Sequence, residues 1–216
     1  MSVENVSLPV IRRLPRYYRY LSNLKKNGVI RISSGELAAH MQLTASQIRH
    51  DLNCFGGFGQ QGYGYNVVQL SSEIEKILYL DNKVDAIIIG TGNLGRALSS
   101  FLSDSKGISI VGMFDKANRE IMETHPSMKI MPMSELESFC KEKSPKIAIL
   151  CIPGEHVQSV AENLAALGIK GFWNFIQYQT DLVLDEKTAT VENIHLIDSI
   201  MTLSYNVNSM TNGDKK

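Results

Sequence analysis

The segment Gly90-Thr91-Gly92-Asn93-Leu94-Gly95 follows directly on the apolar run Val84, Ala86, Ile87, Ile88, Ile89, and no other feature restricts the fold as much. A buried strand that runs into a Gly-x-Gly-x-x-Gly turn and then a helix start is how a dinucleotide pyrophosphate is held. The first glycine allows the tight turn, the second brings backbone up to the phosphates, and the third lets helix and strand pack closely. The pyrophosphate then rests on free N–H groups at the helix N-terminus. A second apolar run, Ile108 to Phe114, ends in Asp115, 20 residues beyond Gly95. That is the spacing at which a carboxylate meets the ribose hydroxyls and disfavours a 2′-phosphate, so NAD(H) is the expected cofactor. Lys116 and Arg119 soften that preference by their charge. A purely structural glycine turn is the competing reading.

From Val84 onward strands alternate with helices, the pattern of a parallel sheet wrapped on both faces. The spacing predicts strands at 84–89, 108–114, 129–131, 146–152, 171–175 and 191–194, with a short extended piece at 182–184. Helices are expected at 93–103, at 134–142 behind a Ser134/Glu137 capping box, and from Glu155 to Leu167, stopped by Gly168. From His195 to about Asn208, Leu196, Ile200, Leu203 and Val207 recur at helical spacing, an apolar stripe that has to be buried somewhere. A disordered tail is expected from Thr211 to Lys216.

The first third has a different composition. Residues 1–80 carry nine Lys/Arg against five Asp/Glu, and residues 81–216 thirteen against seventeen. A basic module joined to an acidic one points to a polyanion partner for the former. A short turn from Leu8 leads into a helix from Pro15 to Lys26, closed by Asn27-Gly28. Ser33 with Glu36 caps a helix from Gly35 to Met41, and Thr44 caps another from Ala45 to Asn53, which is helix-turn-helix spacing. The run from Phe55 to Val67 interleaves glycines with aromatics and predicts a twisted hairpin, and an amphipathic segment follows from Ser71 to Leu80. Asp81-Asn82-Lys83 is the expected linker. Ser46, Gln47, Arg49 and His50 are the candidate base and phosphate contacts on the third helix. Arg13, Arg16 and Arg19, at three-residue spacing on the first helix, are candidate phosphate contacts. A solvated basic face on a protein-interaction module is the alternative.

Catalytic chemistry is sparse. Tyr79-x-x-x-Lys83 precedes the glycine motif, and His125 and His156 stand alone, so the general acid or base of a dehydrogenase is missing. Cys54, Cys140 and Cys151 show neither metal-ligand spacing nor a disulfide framework. No signal peptide and no apolar run of membrane-spanning length is evident, so a cytoplasmic protein with no membrane partner is expected. A sensor is favoured over an enzyme, and neither catalytic nor metal residues are assigned.

Across residues 5–210 the chain resembles the Rex family of bacterial redox-sensing transcriptional repressors. The resemblance rests on Arg13-Leu14-Pro15-Arg16-Tyr17-Tyr18-Arg19-Tyr20-Leu21, on Gln47-Ile48-Arg49-His50-Asp51-Leu52, on the hairpin Phe55-Gly56 to Tyr65-Asn66-Val67, on the glycine motif with Phe114-Asp115, and on Gly168 to Phe175. It implies an α/β chain with a winged helix-turn-helix DNA-binding domain at 1–80, a Rossmann-type doubly wound NAD(H) domain at 84–194, and a dimerisation helix at 195–210 swapped between protomers. It further implies a homodimer on the double-stranded DNA of a palindromic operator, released when NADH rises relative to NAD⁺. The expected cofactor contacts are Gly90 to Gly95, Phe114, Asp115, Ile152, Pro153, Asn174 and Phe175. Gln61, Gly62 and Tyr65 of the wing join Arg13, Arg16, Arg19, Ser46, Gln47, Arg49 and His50 as expected DNA contacts.

The chain departs from that family at several positions. Gln60-Gln61 stand where the wing is usually Lys/Arg-Arg, and Phe101 replaces a tyrosine of the first Rossmann helix. His195 replaces an aspartate at the start of the swapped helix, Leu196 replaces an aromatic, and Ile176-Gln177 follow Asn174-Phe175 in place of Ala-Pro. In the family that tyrosine and aspartate form ligand-dependent hydrogen bonds with an arginine matching Arg19. The alternatives are a divergent paralogue that binds DNA and NAD(H) without redox discrimination, a protonation input at His195, and a small oxidoreductase.

Overall fold

The computed structural model describes residues 6–60, 63–116, 130–176 and 181–213. The chain divides between Asn82 and Lys83 into two compact units.

The first unit opens with α1, Leu8–Lys26, one continuous helix with Pro15 inside it. The expected break before Pro15 is absent. Val10, Leu14, Tyr17 and Leu21 form one buried stripe along the whole helix. Burying each such side chain contributes about 1.5–3 kcal/mol, which together outweighs the roughly 3 kcal/mol that an interior proline costs. The order continues with β1 (Arg31–Ile32), α2 (Ser34–Met41), α3 (Ala45–Asn53), β2 (Gly59–Gln60), β3 (Gly64–Asn66) and α4 (Val67–Ile77).

Both helix starts read from the sequence are capped. Ser33 Oγ accepts the Glu36 amide while the Glu36 carboxylate takes that of Ser33, and Thr44 Oγ1 accepts the Gln47 amide. Gln42 takes the left-handed conformation (φ 57°) that turns α2 into α3. The hairpin gains an unexpected third strand, giving the antiparallel order β1-β3-β2. Helix α4 starts at Val67 and not at Ser71, because the Asn66 side chain caps it through the Gln69 amide. Val67, Leu70 and Ile74 then join the α1 stripe in the core.

The second unit is a six-stranded parallel sheet in the order β6-β5-β4-β7-β8-β9. The strands are β4 (Val84–Ile89), β5 (Ile108–Asp115), β6 (Ile130–Pro132), β7 (Ile147–Leu150), β8 (Gly171–Ile176) and β9 (Thr190–His195). The chain winds outward from β4 through β5 to β6, then returns to build β7 to β9 on the other side. The strand order therefore reverses between β4 and β7, the place where doubly wound sheets bind ligands. Alternate residues of β4 feed two cores. Ile87 and Ile89 pack under α6 (Leu136–Lys143) and α7 (Gly154–Ala166), and Ala86 and Ile88 pack with Leu98 and Leu102 of α5 (Asn93–Leu102).

The Ser134/Glu137 box is not made. Ser134 lies within a 3₁₀ turn, Met133–Glu135, and α6 begins at Leu136 with no side-chain cap. After β9 the chain enters α8, Leu196–Gly213, which extends past the expected end at Asn208 into the segment read as tail. Its stripe of Leu196, Ile200, Leu203 and Val207 is exposed, each residue more than 50% accessible. Among the described residues no helix is long and apolar enough to cross a membrane, and no cluster of metal-ligating side chains occurs.

Candidate DNA-binding surface and dinucleotide cleft

In the first unit the wholly buried carboxylate of Asp51, on α3, collects donors from two helices. Arg13 Nε and Nη2 pair with its two oxygens, Nη2 to Oδ1 at 2.8 Å, and Tyr17 Oη donates to Oδ2 at 2.6 Å. Gln47 Nε2 donates to Oδ1 at 2.7 Å. Burial pushes the Asp51 carboxyl up, but these donors outweigh it and hold the group below its ordinary value. Burial and the same hydrogen bond push the Tyr17 phenol up, and Asp51 raises the Arg13 guanidinium.

This network takes up two of the expected DNA contacts, and the core takes a third. Arg13 is spent on Asp51, with its side chain only 22% accessible. Gln47 is half-buried against the same carboxylate. Tyr65 is buried in the core, its phenol pushed up by burial, because pairing with Ile32 and Gly59 turns its side chain inward. The three arginines of α1 do not act as one row either, since steps of three residues drift about 60° each around a helix of 3.6 residues per turn. Arg16 Nη2 donates to the Met41 carbonyl at 3.1 Å, and Arg19 is exposed. Ser46, Arg49 and His50 are exposed on α3, with Arg49 Nη1 donating to Ser34 Oγ at 3.1 Å. Gln61 and Gly62 lie outside the described residues.

In the second unit the glycine motif is a cradle whose shape requires glycine at Gly90 and Gly95. Gly90 has φ +95°, and a Cβ there would lie 2.4 Å from the Cys151 carbonyl oxygen. A Cβ on Gly95 would lie 2.0 Å from the Gly90 oxygen, so the third glycine brings α5 against the turn. Gly92 faces open space and starts α5 with no side-chain cap. The first-turn amides, those of Asn93, Leu94 and Gly95, are thus left to an incoming anion.

Thr91, fully buried, ties this turn to β5. Its amide and Oγ1 donate to Asp115 Oδ2 at 2.8 and 2.7 Å. A cleft of about 280 Å³ opens here, lined by Gly90, Gly92, Asp115, Lys116, Ile152 and Pro153, with Ile89, Met133, Cys151, His156 and Val160 completing it. Burial pushes the Cys151 thiol up to about 12, so it is a neutral wall residue. The sequence reading missed Met133 and Val160. Both come from connections that cross over the sheet, and nothing local in the sequence marks them.

Three of the expected cofactor residues lie elsewhere. Phe114 is wholly buried, edge-on to Phe139 with centroids 5.3 Å apart. Phe175 is buried against Trp173 with centroids 4.7 Å apart. Asn174, level with Leu150 across β7, donates from Nδ2 to Asn193 Oδ1 at 2.9 Å, and its own buried Oδ1 has no partner among the described residues. Arg119 and His125 lie outside the described residues. An uncapped helix start, an open second glycine and a carboxylate at the cleft edge fit a dinucleotide.

The family model described as "Putative DNA-binding protein N-terminus" matches residues 5–53, and that described as "CoA binding domain" matches residues 81–178. A redox-sensing transcriptional repressor Rex from Caldicellulosiruptor saccharolyticus is 46% identical over 206 residues, covering 95% of this chain and 93% of its own. The chain belongs to the Rex family of transcriptional repressors. RSP, a Rex-family repressor solved with β-NAD⁺ and operator DNA, matches with a TM-score of 0.85 at 46% identity, over 98% of this chain and 96% of its own. RSP solved with β-NADH matches with a TM-score of 0.86 at 44% identity, over 97% of this chain and 98% of its own.

Within this Rex chain the departures have definite surroundings. Phe101 is 76% exposed on α5. His195 ends β9, immediately before α8, and its Nε2 sits 2.7 Å from Asp181 Oδ1.

Proposed function

We propose that the chain is a homodimeric repressor that holds a palindromic operator through α3 and the adjoining wing and lets go when NADH enters the glycine-loop cleft. The observation that carries this reading is the presence in one chain of a doubly capped helix pair exposing Ser46, Arg49 and His50 and of an uncapped glycine cradle edged by Asp115. The RSP structures, one with β-NAD⁺ and operator DNA and one with β-NADH, support it.

In this reading residues 1–80 form the DNA-binding domain, 84–194 hold the cofactor, and α8 of each protomer lies on the other. The exposed stripe of Leu196, Ile200, Leu203 and Val207 supports the exchange. The amides from Asn93 to Gly95 take the pyrophosphate, Asp115 takes the ribose, and Ile152 and Pro153 wall the cleft. The nicotinamide ring supplies the signal, positively charged in NAD⁺ and neutral in NADH. It shifts DNA binding only through unequal affinity for the bound and released arrangements.

The deciding experiment is fluorescence anisotropy of a labelled duplex that the protein selects from a randomised pool, at fixed salt, with saturating NADH or NAD⁺. Release by NADH alone is the expected result, and equal affinity under both overturns the redox response. Phe101, which carries no hydroxyl, and His195, already bound to Asp181, favour a second reading in which DNA and NAD(H) are bound without discrimination.

A further inference from the structure

The segment from Phe55 to Val67 contains no charged residue. Its middle reads Gln60-Gln61 in the sequence, so a wing built from these residues alone meets a phosphate backbone without a cation. The fold brings one in from elsewhere. Strand β1 pairs with β3, setting Arg31 opposite Asn66 and Ile32 opposite Tyr65. Side chains alternate along a strand, so Ile32 is buried and Arg31 faces outward.

Arg31 is then held at two points by one residue of the turn that leads into β3. Its Nη1 donates to the Tyr63 carbonyl at 3.1 Å, and its Cζ lies 5.8 Å from the Tyr63 ring centroid, within cation–π range. The Tyr63 ring is itself 69% exposed. Among the described residues no carboxylate pairs with Arg31, so the wing keeps its charge.

The same stretch of chain also receives the recognition helix. Arg49 of α3 donates to Ser34, three residues beyond Arg31. Three residues of extended chain span at most about 11 Å. The anchor points of the two guanidinium groups are therefore neighbours, one from α3 and one from the wing, short enough to serve a single stretch of duplex.

We propose that Arg31, set on the Tyr63 ring, is the wing's DNA-backbone contact and supplies the phosphate charge that Gln60 and Gln61 lack. The proposal rests on the DNA-binding reading above. A guanidinium whose plane is fixed by an aromatic ring presents paired N–H donors to phosphate oxygens at little further entropic cost. Such a contact adds affinity without reading bases. Tyr63 acts as a positioning residue.

Salt dependence is the readout that a merely structural role would not move. Affinity of the full-length wild type, Arg31→Gln and Tyr63→Ala would be measured by anisotropy from 50 to 200 mM salt. The probes are the duplex selected by the wild type and a scrambled duplex of equal length. One lost phosphate contact lowers the log–log salt slope by about 0.9, making the affinity drop across that range about 3.5-fold smaller. Arg31→Gln is expected to do this on both duplexes alike. Tyr63→Ala is expected to weaken binding with the slope retained. Adding Gln60→Arg to Arg31→Gln, which returns a cation to the same three-stranded sheet on β2, is expected to restore the slope even if the single variant melts early. An unchanged slope for Arg31→Gln, or weakening confined to the selected duplex, overturns the proposal while leaving DNA binding intact. A wild type that retains neither duplex at 50 mM salt overturns both readings.

Discussion

Helices α1 and α8 are almost the same length, 19 and 18 residues, and each carries an apolar stripe. Within the single chain their fates are opposite. The stripe of α1 is wholly enclosed by its own unit, and a polar network from Arg13 and Tyr17 to Asp51 fastens the helix further. The stripe of α8 is more than half accessible from Leu196 to Val207, with no basic and one acidic residue along the helix. Apolar spacing alone therefore identifies a surface that needs covering but not what covers it. For α1 the cover is intramolecular, and for α8 we propose a second copy.

The largest expected effect that sharpens this contrast is at the α1 fastening. Asp51→Ala leaves the Arg13 charge half-sheltered with no counter-ion and is expected to cost about 3–5 kcal/mol of unfolding free energy in urea titration. The sign with pH follows from the depressed carboxyl. The contribution of Asp51 is fully present above the ordinary carboxylate range and disappears as pH falls through that range toward the folded-state value. Acid unfolding of the first unit, followed by circular dichroism, is expected to become shallower in Asp51→Asn. A smaller loss, about 2–5 kcal/mol depending on how the site relaxes, is expected for Leu21→Ala in the enclosed stripe. Smallest is Leu203→Asp on α8, within about 0.5 kcal/mol for the monomer, as for an exposed position. The same substitution is expected to abolish self-association in sedimentation velocity. A monomeric wild type, or a Leu203→Asp protein that still dimerises, would break the comparison.

Some of this was legible in the sequence because the signals are local. The strand, glycine turn and helix from Val84 to Leu102 are contiguous, and Gly90 and Gly95 each have a steric reason for their place. The same four-residue pattern marks a true cap at Ser33/Glu36 and a false one at Ser134/Glu137. The two differ in the backbone before the helix, extended at Ser33 but already turned into 3₁₀ at Ser134, and the pattern does not encode that difference. Strand β1 is two residues long, too short for any period to show. The Asp51 network joins Tyr17 and Arg13 to a carboxylate 34 and 38 residues away, so Arg13 reads as a free polar side chain until α1 and α3 are brought together, whereas Gln47 is a local i,i+4 partner on α3 itself. Phe114, Asn174 and Phe175 sit beside the cleft in sequence terms, but strand alternation and packing turn the two phenylalanines into the sheet's own layers and Asn174 onto Asn193.

The Asp51 cluster also has a mechanical meaning. With Arg13 and Tyr17 on α1 gripping the α3 carboxylate that Gln47 steadies from its own helix, the two helices are keyed together at one hub. The reading edge of α3, where Ser46, Arg49 and His50 emerge, has no soft joint by which to tilt alone. In the reading proposed above, a signal that lifts this edge from a duplex has to swing the N-terminal unit as a rigid body. A rotation of a few degrees is then magnified at the far end of the lever, so that in the proposed dimer a small rearrangement elsewhere takes both edges out of register with their half-sites.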